Sequence, residues 1–172
     1  MQTPASIARH PIHPMLVTFP VGLWIFSLVC DIVFLAGSHA GVWETVAFYS
    51  MVGGLLGALA AAVPGLVDLI SLKASRARRI GLFHMGINLT AVALYAVNIY
   101  LRIMDPGRVQ AAFVLSVIGV ALIAVSGWLG GEIVHVHGVG VVTPSSARLV
   151  ARPRSQCDPA REDCRHWETE EV

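Results

Sequence analysis

The chain has 172 residues, of which 55% are hydrophobic and only 13% charged, and its mean hydropathy is +0.68. A water-soluble domain carries about 25% charged residues, so a body this apolar cannot cover its own surface in water. Disordered, collagen-like and soluble nucleic-acid-binding classes are excluded, and an integral membrane protein is what remains.

A helix that crosses a bilayer needs about 20 predominantly apolar residues. Four segments reach that length: 15–36, 45–72, 80–103 and 110–136. The first contains Asp31 and is longer than the apolar core of a secretory signal, about 7–15 residues, so it reads as a retained helix despite the Ser38-x-Ala40 pattern after it. The connectors are short and rich in breakers: 37–41, 73–79 and 105–108. Connectors this short force neighbouring helices to run antiparallel. The expected fold is therefore an all-α membrane protein, four antiparallel transmembrane helices in an up-down bundle spanning residues 1–142. No internal repeat is evident. From 143 to 172 the composition turns polar and charged, which reads as a solvated cytoplasmic tail.

Orientation follows from Lys and Arg in short loops. Lys73, Arg76, Arg78 and Arg79 lie between the second and third segments, Arg9 precedes the first, and Arg148, Arg152 and Arg154 follow the last. Both termini are expected in the cytoplasm, with the protein in a bacterial inner membrane. The tail thiols Cys157 and Cys164 are then expected to be reduced.

Ionisable groups at membrane depth are costly, so each is a functional candidate. Threading the chain up and down brings His13, Asp68, His84, Glu132, His135 and His137 to the cytoplasmic half, with His10 at the first helix end, and leaves Asp31 near the opposite face as a headgroup-level residue or an N-cap partner. The third segment carries His84, Asn88, Ala91, Tyr95, Asn98 and Arg102 at spacings of three and four, a polar stripe turned into the bundle. Small residues follow the same logic at Gly53, Gly57, Ala61 and Gly65. Pro20 frees the carbonyl of Leu16 and is expected to kink the first helix.

The run His10-Pro11-Ile12-His13-Pro14-Met15-Leu16-Val17-Thr18-Phe19-Pro20-Val21-Gly22-Leu23-Trp24 resembles the opening of a bacterial four-helix membrane family catalogued as domain of unknown function twenty-two thirty-one. Gly65-Leu66-Val67-Asp68, His84-Met85-Gly86-Ile87-Asn88 and Gly127-Trp128-Leu129-Gly130-Gly131-Glu132 extend the resemblance over about residues 7 to 143. Some members of that family look fused to Rieske or cytochrome c modules, so the resemblance implies a redox neighbourhood.

Several chemistries compete for the polar cluster. Haem b held between helices needs two neutral imidazoles at one depth; His84 with His13, His135 or His137 meets that condition. A metal site is weaker: Glu132-x-x-His135 is half of a di-iron motif, His10-x-x-His13 is interrupted by prolines, and His135-x-His137 shares a face only in an extended strand. Asp68, His84 and Glu132 read as a proton relay, although the want of a repeat argues against a transporter. The bland reading is that Asp68, Asn88, Glu132 and His10 only hold helices together by hydrogen bonds. Expected partners are the lipid bilayer and, under the haem reading, a redox protein; a homo-oligomer stays open, and no catalytic activity of its own is expected.

Overall fold

A computed structural model describes residues 4–8, 10–38 and 41–141; the stretch 143–172, with Cys157 and Cys164, lies outside the described residues. A two-residue hairpin, β1 (Ser6–Ile7) against β2 (His10–Pro11), leads into a short α1 (Ile12–Leu16) and then α2 (Thr18–Val33). Three long helices follow: α3 (Gly41–Ser71), α4 (Arg76–Met104) and α5 (Val109–His135). Four stretches are long and apolar enough to cross a membrane: Ile12–Gly37, Gly41–Ser71, Arg76–Met104 and Val109–His135.

Local chemistry accounts for the boundaries. Pro20 has no N–H to give to the Leu16 carbonyl, and the chain breaks at Val17 between α1 and α2. The turn out of α2 is a wide helical turn, Phe34–Ser38, whose Gly37 has φ 109°, a conformation glycine adopts without strain. Ser75 caps α4 by accepting the Arg78 N–H at 3.3 Å. The helix thus starts four residues before the position expected from hydropathy, and Arg76, Arg78 and Arg79 lie in its first turn rather than in a loop.

Packing is inverted relative to a soluble bundle. The inward stripes are small or polar: Ser27 and Asp31 on α2, Gly54 and Ala61 on α3, Asn98 on α4, and Ser116, Gly119 and Ser126 on α5. Large apolar side chains such as Phe19, Leu56, Phe83 and Trp128 face outward. Lipid tails solvate those groups as well as a core would, so helix association rests on close contact and interhelical hydrogen bonds.

The helices form two hairpins, α2–α3 and α4–α5, each packed more extensively within itself than against the other. Contrary to the reading of the sequence, the hairpins repeat one another. In the first, His13 donates from Nδ1 to the Ala61 carbonyl at 2.8 Å, and Gly65 lies against the ring, where a Cβ would come to 2.7 Å. In the second, His84 donates from Nδ1 to the Ser126 carbonyl at 2.9 Å, and Gly130 lies against that ring, with a Cβ reaching 3.3 Å. Trp24 presses on Gly54 as Tyr95 presses on Gly119. Ala47 and Ala112, Met51 and Ser116, and Ala61 and Ser126 are matching buried positions. Each α4 residue follows its α2 counterpart by the 71 positions that separate Asp31 from Arg102, whereas Ser126 follows Ala61 by only 65 because the turn of the second hairpin is shorter.

Counterparts also meet. The rings of His13 and His84, those of Trp24 and Tyr95, and the charges of Asp31 and Arg102 are in contact. Contacts at one constant offset make α2 and α4 parallel diagonal helices, related by an approximate two-fold axis along the bundle. Within each hairpin the contacts run in opposite directions along the two helices, so those pairs are antiparallel.

Candidate functional site

Three layers of counterpart side chains stack along this axis. The first is a pair of imidazoles, with ring centres 6.2 Å apart and planes at 89°. A carbonyl oxygen can only accept, so the Nδ1 of each ring carries its proton, and Nε2 keeps the lone pair. On His84 that lone pair accepts from Asn88 Nδ2 at 3.0 Å, and the same amide nitrogen donates to the His84 main-chain carbonyl at 3.0 Å. On His13, Nε2 has no hydrogen-bond partner among the described residues. The two glycines are what let the rings lie this deep between helices.

The second layer is Trp24 stacked on Tyr95, with centres 4.1 Å apart and planes within 9°. The indole N–H donates to the Met51 carbonyl at 3.3 Å. The Tyr95 hydroxyl and the Ser27 hydroxyl are buried without a partner among the described residues. A buried polar group left unpaired costs about 1–3 kcal/mol, so these two hydroxyls mark the middle of the bundle as a place where polar groups are held at a cost.

The third layer is an ion pair, Arg102 to Asp31 at 2.6 Å, with side chains only 7% and 4% exposed. Arg102 Nε also donates to Asn98 Oδ1 at 3.1 Å. Asn98 Nδ2 donates to the Ala112 carbonyl and to Ser116 Oγ, both at 2.9 Å, and Ser116 Oγ donates to Asp31 at 3.1 Å. Asp31 is therefore a buried member of a network tying both hairpins together, with a partner that its position near the helix end did not reveal. A signal for it was present: Arg102 ends the polar stripe of α4, and a buried arginine demands an acid.

The remaining candidates disperse. Asp68 Oδ1 accepts the Ala5 N–H at 3.0 Å, so it ties the N-terminal segment to α3 and is not hydrogen-bonded to His84. Glu132 supplies its main-chain carbonyl to Val136 and His137; its carboxylate has no partner among the described residues. The expected relay of Asp68, His84 and Glu132 is thus not hydrogen-bonded together. His10 lies in β2 with Nδ1 on the Ala8 carbonyl and does not share a helical face with His13. His135 ends α5, exposed, while His137 lies in the turn beyond it, its Nε2 buried without a partner among the described residues. That turn replaces the extended strand that paired chelation by these two histidines would need. Among the described residues, no group of three or more His, Cys, Asp or Glu side chains is placed to hold a metal ion, and the imidazole that meets His84 is His13.

A family model described as predicted membrane protein (DUF2231) matches residues 9–143. No curated protein and no solved structure matches the chain.

Proposed function

The chain belongs to this family of predicted membrane proteins, and we propose that it is a redox-associated subunit that would hold haem b between His13 and His84. The observation that carries the reading is the symmetric imidazole pair. Imidazoles that ligate metals typically donate their second N–H to a carbonyl or carboxylate, and both rings do so here. The two rings lie side by side, 6.2 Å between centres, so one haem iron would find both imidazoles within reach. Both rings lie on the seam between the hairpins, which pack less extensively against each other than within themselves. Haem b would supply one-electron transfer there; His13 and His84 would hold it, and the carbonyls of Ala61 and Ser126 fix their tautomers.

The absorption spectrum of the detergent-purified protein, expressed with haem supply, tests this. A Soret band is expected, and His13→Ala or His84→Ala should remove most of it. A colourless protein that takes up no added haem would sink the reading.

A second reading has an observation of its own. His84 Nε2 already accepts from Asn88, and the ion-pair layer is fully paired within the protein. Both facts suit an accessory membrane protein whose polar layers only fix helix packing. Under that reading His84→Ala alters stability and no spectrum.

The proposal places the subunit in a bacterial inner membrane with both termini in the cytoplasm, on the strength of the basic residues near Arg76, Arg78 and Arg79. A cysteine at Gly107, in the turn between α4 and α5, should then react with an impermeant thiol reagent added outside the cell. Labelling confined to inverted membranes would reverse the orientation.

A further inference from the structure

Beside the histidines the two-fold likeness of the site breaks at Ser126, whose Oγ lies 2.9 Å from His84 Nδ1 where its counterpart Ala61 has no hydroxyl, and, at the other ring nitrogen, at Asn88. Four residues after His84, one helical turn on, stands Asn88; four residues after His13 stands Val17. Val17 offers no side-chain hydrogen bond, and His13 Nε2 has no partner among the described residues. Asn88 Nδ2 lies 3.0 Å from the equivalent lone pair on His84. The assignment of nitrogen rather than oxygen at that corner of the amide follows from its second contact, since the His84 carbonyl at 3.0 Å can only accept. The chain therefore presents one open imidazole and one whose lone pair is already taken.

From this asymmetry we infer that Asn88 sets the affinity of the site: it competes with a metal centre for His84 Nε2, so that ligation at His84 must displace the amide N–H. The inference rests on the haem reading for the identity of the ligand, and on the geometry alone for the competition. Displacement is cheap in one respect, because the amide keeps its bond to the carbonyl of its own helix. What is lost is one net hydrogen bond, which corresponds to about a 2- to 10-fold change in affinity. His13, with no such competitor, is the stronger of the two donors.

The test uses the full chain in detergent, with hemin as the titrant. Asn88→Val, which copies the first repeat, should bind hemin about 2- to 10-fold more tightly than the parent, and Val17→Asn should bind it more weakly. Asn88→Ala serves the same purpose should the branched side chain disturb α4. A second readout needs no haem: the ¹⁵N resonance of His84 Nε2 in the unloaded protein should move toward that of an unbonded lone pair in Asn88→Val and resemble that of His13. Equal or weaker hemin binding by both Asn88 variants overturns the proposal. So does an unmoved ¹⁵N resonance, even if no variant binds hemin. Failure of the parent and every variant to bind hemin overturns the haem reading and with it the affinity role of Asn88, whereas a parent that binds hemin while the Asn88 variants bind no more tightly overturns the affinity role alone.

Discussion

Asp31→Asn and Arg102→Met should each lower the stability of the bundle by about 3–5 kcal/mol, the usual cost of leaving one partner of a buried ion pair without the other. Asp31 is 3% exposed, and its carboxylate takes both the Arg102 guanidinium and the Ser116 hydroxyl, so removal of its charge strands a cation that lipid cannot solvate. Unfolding in detergent or mixed micelles with increasing SDS measures this, and the double variant should lose less than the two singles together. The two-fold relation adds a sharper expectation. Since positions 31 and 102 are counterparts that face each other, the exchange Asp31→Arg with Arg102→Asp keeps an ion pair in the same place. The neighbours are not equivalent, however. An arginine at 31 would find the Ser27 hydroxyl in place of Asn98, and an aspartate at 102 would find Met51 in place of Ser116. The exchanged chain should therefore recover part of the lost stability and fall short of the parent. An exchanged chain as unstable as either single variant would show that the two positions are not interchangeable.

Gly54→Val and Gly119→Val are expected to cost about 1–3 kcal/mol each or more. A Cβ at Gly54 would meet the Trp24 ring at 2.4 Å, and one at Gly119 would meet the Tyr95 ring at 2.6 Å. Neither ring has anywhere to retreat, because each is stacked on the other and both are almost wholly buried. The damage should thus travel across the axis, with loss of order at the Trp24–Tyr95 layer from either substitution. Gly22→Val is the control: nothing lies within 4 Å of its would-be Cβ, so it faces lipid and should be nearly neutral. The same unfolding measurement decides, and a Gly54→Val chain as stable as Gly22→Val would mean that α2 and α3 do not pack as closely as the contacts indicate.

Much of the site follows from helical arithmetic alone. The stripe of His84, Asn88, Tyr95, Asn98 and Arg102 on one face of α4 is set by spacings of three and four, and the structure turns Tyr95 and Asn98 fully inward. Depth brought His13, His135 and His137 alike to the level of His84 and did not choose among them. The repeat escaped for a physical reason. Two of the three facing pairs are complementary rather than identical, an acid against a base and an indole against a phenol, and only the His13–His84 pair keeps one residue type. Identity survives chiefly where geometry demands one residue, as at Gly54 with Gly119 and Gly65 with Gly130, where a ring leaves no space for a side chain. Helix α4 starts earlier than its apolar run because Ser75 gives its first N–H groups a partner, whereas hydropathy places a helix end where apolar residues stop.

By itself the sequence determined the membrane class, the four spans and the inward polar stripe, because a bilayer imposes the length of a spanning helix and the helix itself imposes the 3.6-residue period. Only the tertiary structure decided which polar groups meet. Burial of Asp31 with Arg102, the dispersal of Asp68, Glu132, His10 and His135, and the pairing of His13 with His84 depend on how two hairpins associate. Residues 71 apart in the chain become neighbours only once that association is made, and no local propensity encodes it.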